Sequence, residues 1–210
     1  MGEAEEFFEE IAEDIQTRME RVNNAEENFV TRACLKEVWT DDRLTTFSNM
    51  VGLSKTPYGI EDLRTKLLQT LSILVFMRWR HWQKFLPLFI HYGNLDKRGD
   101  ASIMEHTREQ LEDVDFLGGK EPAAHFLMIR SSFVPIDISE AMVGTYEKGR
   151  RLPFLEPEDG VEIVLGRGGF GTVTKVRIAR SQYYRGEIPQ PVRDLSNSAR
   201  GLLTIILASC

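Results

Sequence analysis

A mainly helical chain that ends in a short β-hairpin, an α+β fold, is what three features of the 210-residue sequence predict. Apolar residues recur three and four positions apart through much of residues 1–148, the spacing that lines one face of a helix. Near Gly149 the pattern changes to β-branched residues on both sides of a glycine-rich run, which suits two strands and a turn. With 42% hydrophobic and 28% charged residues, the chain can bury a core and lies well away from the apolar-poor composition of disordered chains. Three stretches follow: a helical region at 1–148, a hairpin region at 149–195 and an apolar tail at 196–210.

In chain order, Phe7, Phe8, Ile11, Ile15, Met19 and Val22 form the stripe of an amphipathic helix from Glu3 to Val22, closed by Asn23 and Asn24. A second helix is expected from Ala25 to Trp39 with Phe29, Ala33, Leu35 and Val38 inward. Asp41 and Asp42 offer the cap of a third through Leu44 and Phe47. After a turn at Lys55 to Gly59, Ile60, Leu63, Leu67, Leu71, Leu74, Val75 and Arg78 predict one long helix. Trp79, Trp82, Phe85, Leu86, Phe89 and Ile90 prolong the apolar content until Pro87 kinks or breaks it. His91 to Ser102 has the polar, turn-rich composition of a surface loop, and Ile103 to Val114 that of a short helix ending before Gly118 and Gly119. Ala123 to Ile138 begins helical and becomes extended around Pro135, with no clear boundary. Past Pro153 and Pro157, two strands are expected over Val161 to Leu165 and Thr172 to Ile178.

Composition narrows the function classes. A formal charge of −6 lacks the clustered Lys and Arg with which proteins grip nucleic acid or anionic membrane. Much of the acidity lies in Glu3, Glu5, Glu6, Glu9, Glu10, Glu13 and Asp14, as on a solvated helix face; an acidic interaction tail is the other reading. Arg78, Arg80, His81 and Lys84 alternate with aromatics, which fits the polar face of a core helix better than a nucleic-acid surface. Cys34 and Cys210 form no disulfide framework or zinc pattern, and the N-terminus carries no secretory signal, so a cytoplasmic or nuclear location is expected. No apolar run approaches the roughly 20 residues of a membrane-spanning helix. Asp96 and Asp100 lack the rest of a calcium loop, and His81, His91, His106 and His125 are scattered singly, so no metal ligand set is assigned.

The specific signal is Leu165-Gly166-Arg167-Gly168-Gly169-Phe170-Gly171-Thr172-Val173. Its G-x-G-x-x-G spacing alone also fits dinucleotide-binding folds, but there a helix follows the third glycine. Here Thr172-Val173-Thr174-Lys175-Val176-Arg177-Ile178 is strand material. A ligand-free glycine-rich hairpin and another nucleotide fold are the alternatives. With the complete G-x-G-x-x-G-x-V, the stretch resembles the glycine-rich loop of eukaryotic protein kinases of Ser/Thr type. Leu152-Pro153-Phe154 resembles the lead-in of predicted kinases from filamentous fungi, in which a helical region precedes the kinase domain. The resemblance implies a hairpin at the start of a kinase N-lobe. It also implies that ATP, with magnesium in the intact family, lies beneath the loop from Leu165 to Val173. Gly166, Gly168 and Gly171 would admit the phosphates to the backbone, Phe170 would stand at the tip, and Leu165 and Val173 would roof the adenine.

The rest of a kinase is missing from these residues. Lys175 falls on the second strand of the hairpin instead of the third, no HRD or DFG follows, and only a weak alignment of Pro191-Val192-Arg193-Asp194-Leu195 would put Arg193 at the lysine position. The sequence therefore assigns no catalytic residue. The apolar ending Gly201 to Cys210 suggests a truncated gene model or a frame change near Arg193, or else a genuine terminal strand or helix. Two expectations result: a kinase fragment that carries the ATP loop, and a non-enzymatic helical module that meets a protein partner and keeps a kinase-like remnant.

Overall fold

The fold is described from a computed structural model for residues 2–20, 28–91, 95, 99–112, 117–139, 151–155, 161, 163–168, 171–179 and 182–184. Helix α1, Glu3–Arg18, buries Ile11, Ala12 and Ile15 and carries Glu3, Glu5 and Glu6 in its first turn, where the helix dipole favours negative charge. It stops four residues before the expected Val22, because the chain turns extended at Met19 and Glu20 pairs with Phe29 in an antiparallel bridge. That bridge also delays the second helix: α2 runs from Arg32 to Val38 instead of starting at Ala25, with the Thr31 hydroxyl accepting from the Cys34 amide. The expected stop at Asn23 and Asn24 lies outside the described residues. Helix α3, Asp41–Val51, is capped by Thr40, one residue earlier than expected; Asp41 and Asp42 occupy its first turn, and Gly52 at φ 78° ends it.

The long helix expected from Ile60 to Arg78 is two helices. α4 is Ile60–Lys66, α5 is Leu68–Phe76, and Leu67 between them has φ −132° and ψ 8°. Their junction is held from outside. Asp100, on the short helix α6 (Asp100–Ile103), accepts the amides of Gln69 at 3.0 Å and Thr70 at 2.8 Å, and the Thr70 hydroxyl at 2.8 Å. Arg32 of α2 donates to the carbonyls of Arg64 and Thr65 at the end of α4, at 3.4 and 2.5 Å, and lies 3.5 Å from Asp100. One buried carboxylate thus caps the start of α5 while one guanidinium caps the end of α4, which satisfies the groups that a helix break exposes. The segment that reads as a surface loop, His91 to Ser102, therefore contributes buried Leu95 and Asp100; its residues 92–94 and 96–98 lie outside the described residues.

Helix α5 closes in a Schellman motif: the Trp79 amide bonds the Leu74 carbonyl and the Arg78 amide that of Val75, with Arg78 left-handed at φ 56°. The apolar stretch beyond it forms a 3-10 turn at Trp82–Lys84 and a π turn at Leu86–Ile90, with Pro87 near the start of the latter, where its missing amide costs least. Its aromatics turn inward. Phe47 meets Phe8, Trp39, Trp82 and Phe85 edge-on, and Phe8 stacks on Trp82 at 4.2 Å. Helix α7 is Arg108–Leu111 and α8 is Lys120–Phe133, whose buried Ala123, Phe126 and Phe133 close the core against α5.

Beyond α8 the chain is extended: β1 Ile138–Ser139, β2 Phe154–Leu155, β3 Ile163–Gly168, β4 Gly171–Lys175, β5 Arg177–Ile178 and β6 Tyr183–Tyr184. β3 and β4 pair antiparallel, as do β2 and β5, while β1 and β6 are parallel. The mainly α, α+β architecture is thus present, with the core in the helices and the hairpin after them.

Candidate functional site

The glycine-rich stretch forms an antiparallel hairpin with the register Ile163↔Lys175, Val164↔Thr174, Gly166↔Val173, Arg167↔Thr172 and Gly168↔Gly171. Leu165, Gly166, Arg167 and Gly168 lie on β3, and Gly171, Thr172 and Val173 on β4; Gly169 and Phe170 lie outside the described residues. Strand, not helix, follows the third glycine, as the β-branched Thr172, Val173 and Thr174 favour.

Two features give the hairpin its shape. The register slips between Val164 and Gly166, so Leu165 is an extra residue without a partner on β4, one position before the Gly166↔Val173 rung. Gly166 has no left-handed φ, and a Cβ built on it meets nothing within 4 Å. Neither backbone strain nor internal packing explains glycine there. The face above this rung is open, with Leu165 52% and Val164 40% exposed.

The hairpin continues at its base. There Phe154 pairs with Ile178 and Leu155 with Arg177, on either side of the same glycine-rich stretch. Sequence reasoning placed one strand on each side of the loop and missed this continuation, although Leu152-Pro153-Phe154 marked the lead-in.

Lys175 lies on β4 opposite Ile163, at the far end of the ladder from the Gly168↔Gly171 rung. Arg193 and its neighbours, and the apolar tail, lie outside the described residues. Among the described residues no group of three or more His, Cys, Asp or Glu side chains is placed to hold a metal. No helix among them is long and apolar enough to cross a membrane.

The charged groups with resolved shifts sit in the helical part. Asp14 is partly desolvated, but hydrogen bonds from Arg43 and Arg18 outweigh burial and hold its carboxyl below the usual range. Asp100 goes the other way: complete burial raises its pKa against the Thr70 amide, the Arg32 charge and the Gln69 amide. These groups organise helices and face no open site. The single histidines are structural neighbours too; His106 Nδ1 lies 2.8 Å from the Ser102 carbonyl, and His81 lies against Gly118. No protein-family model, no curated protein and no solved structure matches the chain.

Proposed function

We propose that the β3–β4 hairpin is the phosphate-binding loop of a protein-kinase-type nucleotide site, taking ATP between Leu165 and Val173. The observation that carries this is the strand after Gly171, in register with the strand before Gly168. A glycine hairpin brings backbone amides to phosphate oxygens without side chains in the way, whereas a dinucleotide fold would place a helix there. The open Gly166 and the exposed Leu165, one residue before the Gly166↔Val173 rung, add support, since a flat apolar base needs apolar neighbours at the root of a phosphate cradle.

The chemistry assigned to these residues is binding and orientation of phosphates by amides. Magnesium in the intact family neutralises the β and γ oxygens. No HRD or DFG occurs in the 210 residues, so phosphoryl transfer is not assigned to them. A second reading, a helical interaction module with a kinase-like remnant, draws on the position of the large core, which lies in α1 to α8.

A nucleotide series separates the two. Titration of the purified chain with ATP, ADP, AMP and adenosine is expected to give affinities that fall in that order from a Kd on the order of millimolar for ATP. Equal binding of ATP and adenosine would remove the phosphate role, and no binding by any of them would leave the interaction module.

A further inference from the structure

The geometry points to a latch between the helical unit and the glycine hairpin: the segment leaving α8, residues 134–139, clamps the base of the hairpin and makes the order of the loop depend on it. An isolated two-stranded hairpin is marginal in water. On its first arm Val161, Val164 and Leu165 are 65%, 40% and 52% exposed, so these three side chains do little to hold it. The contacts that are seen lie at its base.

The base is well held. The Ile136 amide donates to the Arg151 carbonyl at 2.8 Å, fixing the strand that leads into β2. On the other arm, Ile138 and Ser139 pair in parallel with Tyr183 and Tyr184. Between the arms, the Ala179 amide donates to the Pro153 carbonyl at 2.9 Å. For Gln182, 6% exposed, the surrounding acceptors assign the amide orientation in which the nitrogen donates to Asp137 Oδ1 at 2.8 Å and to the Pro135 carbonyl at 3.3 Å. Ile136, Ile138 and Ala179 are buried around these bonds. The segment between Val134 and Ser139 therefore bonds both arms of the hairpin at once, in a dry setting where each bond is costly to leave unmade.

The other end of the latch is anchored in the helices. The Ser132 carbonyl accepts from the Val30 amide at 2.8 Å, the Phe133 carbonyl accepts from the Gln69 side chain at 2.9 Å, and the Phe133 ring packs on Phe76. Gln69 belongs to the same polar hub as Arg32 and Asp100. The chain of contacts runs from the α4–α5 junction through the end of α8 to the base of the glycine loop.

Amide hydrogen exchange of the full chain tests the latch with no nucleotide added, so its outcome is independent of what the loop binds. In Gln182→Ala, exchange in residues 163–168 and 171–175 is expected to speed up about tenfold, the loss of roughly one buried bond. Exchange in α1, α3 and α5 is expected to stay as in the parent. Ile138→Ala, which trims a different contact of the same clamp, is expected to give the same split. Unchanged hairpin exchange in both variants, with the helices intact, would show that the hairpin holds itself and overturn the latch. So would equal acceleration in helices and hairpin, since the two would then open as one unit and no separable clamp would exist.

Discussion

At the scale of single residues, the two least expected positions are Asp100 and Arg78. Asp100 sits in a polar, turn-rich sequence yet is buried, where its two carboxyl oxygens accept the two free amides at the start of α5 and face Arg32. Asn would set an N–H against one of those donors, so Asp100→Asn is expected to cost about 2 kcal/mol in acid. The sign of its pH dependence follows from burial, which raises the folded pKa above the unfolded one. The folded chain then keeps the Asp100 proton longer than the unfolded chain. Its contribution is complete below the ordinary carboxylate range and declines as pH climbs to the raised value. Urea unfolding of both proteins across this window is expected to show the gap narrowing with pH; a widening gap would mean that the donors and Arg32 outweigh burial. Arg78 is left-handed at φ 56°, and its ion pair with Glu9 is exposed. A non-glycine residue in that region costs about 1 kcal/mol or more, and an exposed ion pair returns little. Arg78→Gly is therefore expected to stabilise the chain by about 0.5–1 kcal/mol, read as a higher urea midpoint at unchanged slope.

At the scale of elements, periodicity located the helices, and tertiary contacts decided where they end. α1 stops at Arg18 because Glu20 pairs with Phe29, some ten residues on, and no local pattern carries that bridge. The break at Leu67 leaves the apolar spacing of Ile60 to Arg78 intact, so a single helix was the natural expectation. Thr70 and Ser72 were the visible hint: both are polar, both are fully buried, and one bonds Asp100 while the other accepts the Trp39 indole N–H. Gly99 reports on how closely α6 fits that junction. Its φ of −72° suits any residue, but a Cβ would lie 2.8 Å from the Leu95 carbonyl oxygen and 3.0 Å from that of Lys66. Gly99→Ala is thus expected to destabilise by about 1–3 kcal/mol through crowding, visible as a lower Tm by circular dichroism at 222 nm. The hairpin was more legible than the helix ends. Thr172, Val173 and Thr174 after three glycines allowed only a strand, while the Leu165 bulge and the pairing of Phe154 with Ile178 depend on register, which β-branched composition does not encode.

At the scale of the molecule, a helical unit with an aromatic core carries a hairpin that is open on the face where a nucleotide is proposed to lie. The division read near Gly149 separates compositions, yet backbone bonds from Ile136 and Ile138 cross it, so hairpin and helices are joined through the end of α8. Glycine spacing singled out the residues from Leu165 to Val173; what spacing could not reveal is that a Cβ built on Gly166 meets nothing within 4 Å. That space makes Gly166→Val a clean probe, because valine suits a strand and its Cβ has room there, while its branched carbon would block phosphate oxygens from the backbone. The direct measurement is an amide NMR titration with ATP of the parent chain and of Gly166→Val, with the Tm of each recorded. The account predicts shifts concentrated in residues 165–173 of the parent, with a Kd on the order of millimolar, and at least about tenfold weaker binding in a variant of unchanged Tm. Shifts confined to the helices, or equal affinity in the two proteins, would contradict it.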